Sequence, residues 1–151
     1  MHRYALIDAA ARPDTAQALR YYTQGHVARS LFERQPEAHL ADKGPWLAEL
    51  DGNVGLDGWL RALERQPGAV ARLESQASFK DVFEHLEACI DIRMSNGKLA
   101  MLRYWDGRAF WRLQGALKSE QRKALLGPIR RWSVYIGEQP FVVDAQQLEA
   151  A

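Results

Sequence analysis

A single cysteine, Cys89, stands among the 151 residues. It excludes a disulfide within the chain and gives no support to a secreted, disulfide-stapled domain. Charge of one sign is also missing, since 20 Lys and Arg face 19 Asp and Glu for a net of +1. No global field is therefore available to hold nucleic acid or an anionic membrane. Basic residues are interspersed with acids, apart from the short pair Arg130-Arg131. No run approaches the ~20 apolar residues of a membrane span. The opening MHRYALIDAAARPD has only a short apolar run, broken by Asp8, so no leader peptide is expected. These absences point to a cytoplasmic protein without a membrane or nucleic-acid partner. Internal repeats and linkers rich in Gly, Ser or Pro are lacking too. The length suits one domain, residues 1–151, with a core of its own.

Catalytic signatures are equally scarce. There is no G-x-S-x-G, no Walker loop and no G-x-G-x-x-G. The histidines are His2, His26, His39 and His85, and they form neither an HExxH nor a His/Cys cluster. His85 and Cys89 are four apart and could share a helix face. Metal sites want three or four ligands, however, and free Cys is usually a small buried hydrophobe. No cofactor and no metal is expected. Asp8, Asp51 and Asp106 each end or follow a predicted strand, where catalytic carboxylates can sit. An aspartate there more often serves a turn or a cap.

What is present centres on Cys89 to Phe110, CIDIRMSNGKLAMLRYWDGRAF. Asn96-Gly97 separates two alternating apolar runs and predicts a two-residue type I′ hairpin. That register pairs Met94 with Leu99, Ile92 with Met101 and Ile90 with Arg103 on one side of the ribbon. Asp91/Leu102 and Cys89/Tyr104 fall on the other side. Arg103 then ends an apolar row and needs a partner, because an unpaired buried charge costs several kcal/mol. Asp106, three residues on, is the expected partner in a structural ion pair, and Asp8 is a second candidate. The competing expectation is an arginine that reaches water at a sheet edge.

Around this stretch the chain alternates strands and helices. Arg3 to Asp8 reads as a strand. Asp14, with Gln17 behind it, opens a helix to about Tyr22 that Gly25 ends. Val27 to Glu33 leans to strand, Pro36 to Ala41 to a short helix, and Trp46 to Leu50 to strand. Leu56, Trp59, Leu60 and Leu63 follow the i, i+3, i+4, i+7 pattern of an amphipathic helix. Ala69 to Glu74 alternates like a strand. Ser78 with Asp81 forms a capping box before the apolar stripe Phe79, Val82, Phe83 and Leu86. Asp106 caps a helix with Phe110, Leu113 and Leu117 inward, and Ser119 caps another that Gly127-Pro128 stops. Two strand-like runs, Arg131 to Ile136 and Phe141 to Val143, close the chain, with a frayed tail from about Ala145. The fold class is α/β, a single domain with a mixed, largely antiparallel sheet and flanking helices.

Five tryptophans occur, at 46, 59, 105, 111 and 132. Trp105 and Trp111 lie on either side of the Asp106 cap and cannot both face the inner stripe of the helix. Tryptophan is enriched at interface hot spots, so Trp105 and Trp111 are the candidate partner-binding residues, with the excluded ring at the surface.

Four stretches, in order, carry a family resemblance: YALIDAA (Tyr4 to Ala10), GPWLAEL (Gly44 to Leu50), RYWDGRAF (Arg103 to Phe110) and LLGPIRRW (Leu125 to Trp132). The set resembles the effector-adaptor chaperones of bacterial type VI secretion. Gly107 stands where that family usually has proline, and Ala9 where glycine is common. The resemblance implies a cytoplasmic, non-enzymatic adaptor, expected to be a monomer when free. Its protein partners would be one secreted effector and the VgrG spike. The rival expectations are a small metal-dependent hydrolase or nuclease using strand-end carboxylates, and a nucleic-acid module around Arg130-Arg131.

Overall fold

In the computed structural model, which describes residues 1–149, the opening run forms β1 (His2–Asp8). Tyr4, Ala5, Leu6 and Ile7 are each at most 1% exposed. A strand with four consecutive apolar residues buried must be covered on both faces there. β3 (Pro45–Glu49) pairs with one edge and β4 (Val70–Ser75) with the other. β2 (Ala28–Ser30) extends the sheet beyond β3, and β7 (Ile129–Ile136) and β8 (Gln139–Asp144) extend it beyond β4. The order is β2-β3-β1-β4-β7-β8, and all five pairings are antiparallel. The protein is thus one α/β domain with an antiparallel sheet and flanking helices. The mixed character expected of the sheet is not seen in these pairings.

Register divides the core in two. The rows Tyr4–Leu73–Trp132–Val143 and Leu47–Leu6–Ala71–Val134–Phe141 face one side. Three helices cover them: α3 (Phe79–Ala88), α4 (Gly107–Ala116) and α5 (Ser119–Leu126). Ala5, Ile7, Ala48 and Val70 face the other side, under Leu19 of α1 (Thr15–Tyr22) and Leu56, Leu60 and Leu63 of α2 (Val54–Leu63). This second row turns polar at Arg72, which reaches Asp57 of α2 and, at 2.7 Å, Glu64. Trp59, placed in the α2 core stripe by its spacing, is half-buried and stacks on Tyr22 at 5.5 Å.

Caps follow local chemistry closely. The Ser78 hydroxyl accepts the Asp81 N–H at 3.3 Å, and Val82, Phe83 and Leu86 behind it are buried. Asp106 accepts the Arg108 N–H at 3.0 Å and starts α4. Asp14 flanks α1, but its side chain makes no capping bond. At α5 the flanking residue is Lys118 rather than Ser119, with the Lys118 N–H donating to the Gln121 side-chain Oε1 at 2.8 Å. The tail is helical where fraying was expected: α6 (Ala145–Glu149) buries Leu148 against the first core. Ala150 and Ala151 lie outside the described residues.

The largest departure concerns the Asn96-Gly97 hairpin. β5 (Asp91–Arg93) and β6 (Leu99–Met101) form a separate two-stranded ribbon beside the main sheet. Arg93 pairs with Leu99, Ile92 with Ala100 and Asp91 with Met101. The Met94 N–H donates to the Lys98 carbonyl at 2.7 Å, so the loop has three residues, Ser95, Asn96 and Gly97. Gly97 alone adopts a positive φ, +82°, as a three-residue loop requires. One added loop residue shifts every pair by one and exchanges the faces. Leu102 therefore takes the place opposite Ile90, its N–H donating at 2.7 Å, and Arg103 is exposed.

Two consequences are testable. The Arg72 guanidinium beside Asp57 holds that carboxyl below its usual range, chiefly through their hydrogen bond. Its contribution is complete above the unfolded value of about 3.9 and is lost as pH falls through the lowered folded value. Asp57→Asn should lower stability by about 1.5–3 kcal/mol near neutrality and flatten the acid limb of the stability curve. Urea melts of both proteins across the acid range check this; parallel curves would contradict it. Gly107 is the second case. Its N–H donates to the Gly68 carbonyl at 2.8 Å, and a Cβ there would lie 2.9 Å from the Gly68 Cα. Proline, otherwise tolerated at the first helical position, removes that bond and forces the two backbones apart. Gly107→Pro should cost about 2 kcal/mol or more in denaturant unfolding.

Candidate functional site

β1 ends at Asp8, and the cleft of greatest interest lies there. The Asp8 N–H donates to the Ala69 carbonyl at 3.0 Å, while the neighbouring Gly68 carbonyl receives the Gly107 N–H. The start of β4 thus ties the end of β1 to the start of α4. Asp8 and Asp106, 98 positions apart in the chain, are brought to one cavity of about 290 Å³. The second stretch joins them, because Asp8 pairs with Pro45 and the Ala9 N–H donates to the Gly44 carbonyl at 3.0 Å. Two of the four stretches singled out by sequence therefore line the cavity, and a third is tied to its edge. The fourth lies beneath: Trp132 is fully buried and stacks on Phe110 at 4.1 Å.

The cavity has an aromatic wall and a charged border. Trp105 and Phe32 meet edge to face at 5.6 Å. Trp105 is only 6% exposed and belongs to the first core, so it is not the surface anchor expected of it. Its burial follows from the α4 cap: the turn before Asp106 directs Tyr104 and Trp105 into the core together. Trp111 is half-buried on the far side of α4 and packs on Phe141 at 4.8 Å. The two candidate rings therefore belong to different surfaces, and Trp111 is the more accessible. Leu113 and Leu117 are only partly buried, and α4 turns Gly107, Phe110 and Gln114 inward instead.

The expected Arg103–Asp106 ion pair does not form. Asp106 pairs with Arg108 at 3.2 Å through two of the guanidinium nitrogens, and Arg103 stands exposed at the cavity border. The slipped hairpin register is the reason, since Arg103 no longer sits on an apolar row and needs no partner there. The Asp8 side chain accepts the Ala10 N–H at 3.0 Å. Burial pushes its carboxyl up, and the nearby Asp106 charge adds to this. Asp51, the third strand-end carboxylate, is at the opposite end of the sheet, where it clips the Arg3 backbone and side chain at 3.0 Å each. All three aspartates therefore serve turns, caps or clips, and only two share a cavity.

Sequence reasoning missed Phe32, Glu37, Leu40 and Lys43, which supply the third side of the cavity. They come from the irregular segment between β2 and β3, including a 3-10 turn at Ala38–Lys43. Glycine was the one available signal: a Cβ on Gly44 would overlap the Phe32 ring at 2.4 Å. Glu37 is the one carboxylate here with a buried oxygen, Oε2, that has no hydrogen-bond partner.

His85 and Cys89 do share a face of α3, with Cys89 Sγ 3.7 Å from His85 Nε2. That nitrogen donates to the Leu125 carbonyl at 2.7 Å, and burial pushes the Cys89 thiol up. A thiol raised in this way is not an activated nucleophile. Among the described residues, no three His, Cys, Asp or Glu side chains gather as metal ligands, and no helix is long and apolar enough to cross a membrane.

No curated protein and no solved structure matches the chain. A family's sequence model does match, over residues 3–124, which takes in the first three stretches and the whole cavity and stops before Leu125, ahead of β7 and β8. The chain belongs to that family, described as a domain of unknown function, DUF4123.

Proposed function

We propose that this protein is a non-enzymatic adaptor of type VI secretion, which binds one secreted effector in the cytoplasm and delivers it to the VgrG spike. The observation that carries the reading is that YALIDAA and RYWDGRAF line one cavity, with GPWLAEL tied to its edge through the Gly44 carbonyl. These are the stretches that resemble the adaptor family, and they lie far apart in sequence. An adaptor needs a rigid body and an adhesive surface, and both kinds of feature support the reading. Two cores on either side of one sheet supply the body. Exposed apolar groups supply the surface: on the ribbon, Ile92 is 43%, Met94 49% and Leu99 62% exposed. Scattered exposed hydrophobics are ordinary, but three on one short ribbon are of the kind that marks recognition.

The decisive experiment is co-purification with the products of the genes neighbouring this one. Trp111→Ala should weaken capture by about 2 kcal/mol, roughly thirty-fold, with a melting shift of a few degrees. Trp105→Ala should instead lower stability by about 3–5 kcal/mol, because it empties a core site. Parent protein that retains neither neighbour would sink the adaptor reading; undiminished capture by Trp111→Ala would move the surface elsewhere. A second measurement addresses the hydrolase alternative. Chelator should leave the melting curve unchanged, whereas a loss of stability restored by zinc or magnesium would overturn the non-enzymatic reading.

A further inference from the structure

The cavity at the end of β1 contains a group that its turns and caps do not use. Glu37 Oε2 is buried and has no hydrogen-bond partner. A buried acceptor without a donor is costly, and native structures leave few of them. Glu37 also lacks a basic partner, and so does Asp8: neither forms an ion pair among the described residues. Burial pushes the Asp8 carboxyl up although Arg108 and Arg103 oppose the shift. Asp106 differs, because Arg108 already holds it at 3.2 Å. The cavity therefore contains two half-buried carboxylates that the chain's own cations do not satisfy.

The remaining wall is mostly apolar. Phe32 and Trp105 meet edge to face, with Leu40 and Met101 beside them. At about 290 Å³ the space lies at the lower end of small-molecule pockets and suits one long side chain. Lys43 and Arg103 also border it, but both are exposed and neither pairs with a wall carboxylate. Positive charge thus stands at the water-facing border, and the unsatisfied acceptors lie further in.

We propose that this cavity receives an arginine side chain of the adaptor's protein partner, with its guanidinium turned toward Glu37 and Asp8 and its methylenes against the apolar wall. A guanidinium carries five N–H donors and no acceptor, which is what an orphaned carboxylate oxygen requires. It is planar and more weakly hydrated than an ammonium, so it enters a half-buried aromatic site at lower cost. A phosphate or carboxylate would set its charge against Asp8 and Glu37 and leave Oε2 without a donor. A metal ion is disfavoured, since no three ligating side chains gather among the described residues. The proposal deepens the adaptor reading and rests on it for the identity of the partner, but the cavity can be tested by itself.

The probe is the blocked peptide acetyl-Gly-Gly-Arg-Gly-Gly-amide, titrated into the 15N-labelled full chain. The same peptide with norleucine or glutamate in place of arginine serves as the neutral or the anionic control. The arginine peptide should shift the Trp105 indole and Ala10 amide signals and saturate. Glu37→Gln, which keeps the side chain's shape and removes its charge, should weaken it at least about ten-fold, and Asp8→Asn should act in the same direction. The spectra of both variants report whether the fold is intact. No shift at Trp105, equal binding of the norleucine or glutamate peptide, or unchanged affinity in folded Glu37→Gln would each overturn the arginine site. Capture of a neighbouring gene's product by a chain that ignores the arginine peptide defeats the site and leaves the adaptor. Arginine-selective binding by a chain that captures neither neighbour defeats the adaptor and leaves the site.

Discussion

β1 is paired on both edges and buried on both faces, and the rest of the molecule is arranged to keep it so. Tyr4 and Leu6 point into one core while Ala5 and Ile7 point into the other. A strand of this kind has no solvent-facing side to absorb a register error, because a one-residue slip would exchange the contents of two packed cores. The chain therefore returns to β1 twice, with β3 and then β4, and each return carries a helix layer that closes one face. Burial of four consecutive side chains, at about 25 cal/mol per Å² of apolar surface, is a large share of what a domain this size needs.

That arrangement also produces the cavity. Where β1 stops at Asp8, the sheet ends and three backbones converge, held by hydrogen bonds to the carbonyls of Ala69, Gly68 and Gly44. Gly68 and Gly107 approach so closely that a side chain on either would meet backbone within 2.9 Å. The stacked pair Phe110 and Trp132 then locks α4 to β7 below. Asp8, Trp105 and Asp106 are presented by rigid elements rather than by a free loop. Rigid presentation favours binding, since less entropy is lost when a partner docks.

The ribbon behaves differently. It shares no strand pairing with the main sheet, and its two strands of three residues bury little. A lone two-stranded ribbon is marginal in water, so its retention makes physical sense where another surface covers it. The segment that carries it, residues 91–124, holds eight Lys and Arg against three Asp and Glu. A balanced total charge coexists with this basic segment because the acids are concentrated elsewhere in the chain.

Much of the local architecture was legible in the residues. The run YALI needed a strand covered on both sides, Ser78 and Asp106 needed the helices they cap, and Gly127-Pro128 could only stop one. These are backbone and near-neighbour effects, complete within a few residues. The hairpin turn was legible as a turn but not in length: the choice between two and three residues decided whether Arg103 or Leu102 faced Ile90. That difference of one residue removed the expected ion pair and left Asp106 to Arg108. The burial of Trp105, the union of Asp8 with Asp106, and the wall built by Phe32, Glu37 and Lys43 had no local signal beyond the glycine at position 44. They depend on which strands are neighbours and how the β2–β3 connection packs over the sheet end, and such long-range pairings are decided only when the whole core closes around β1.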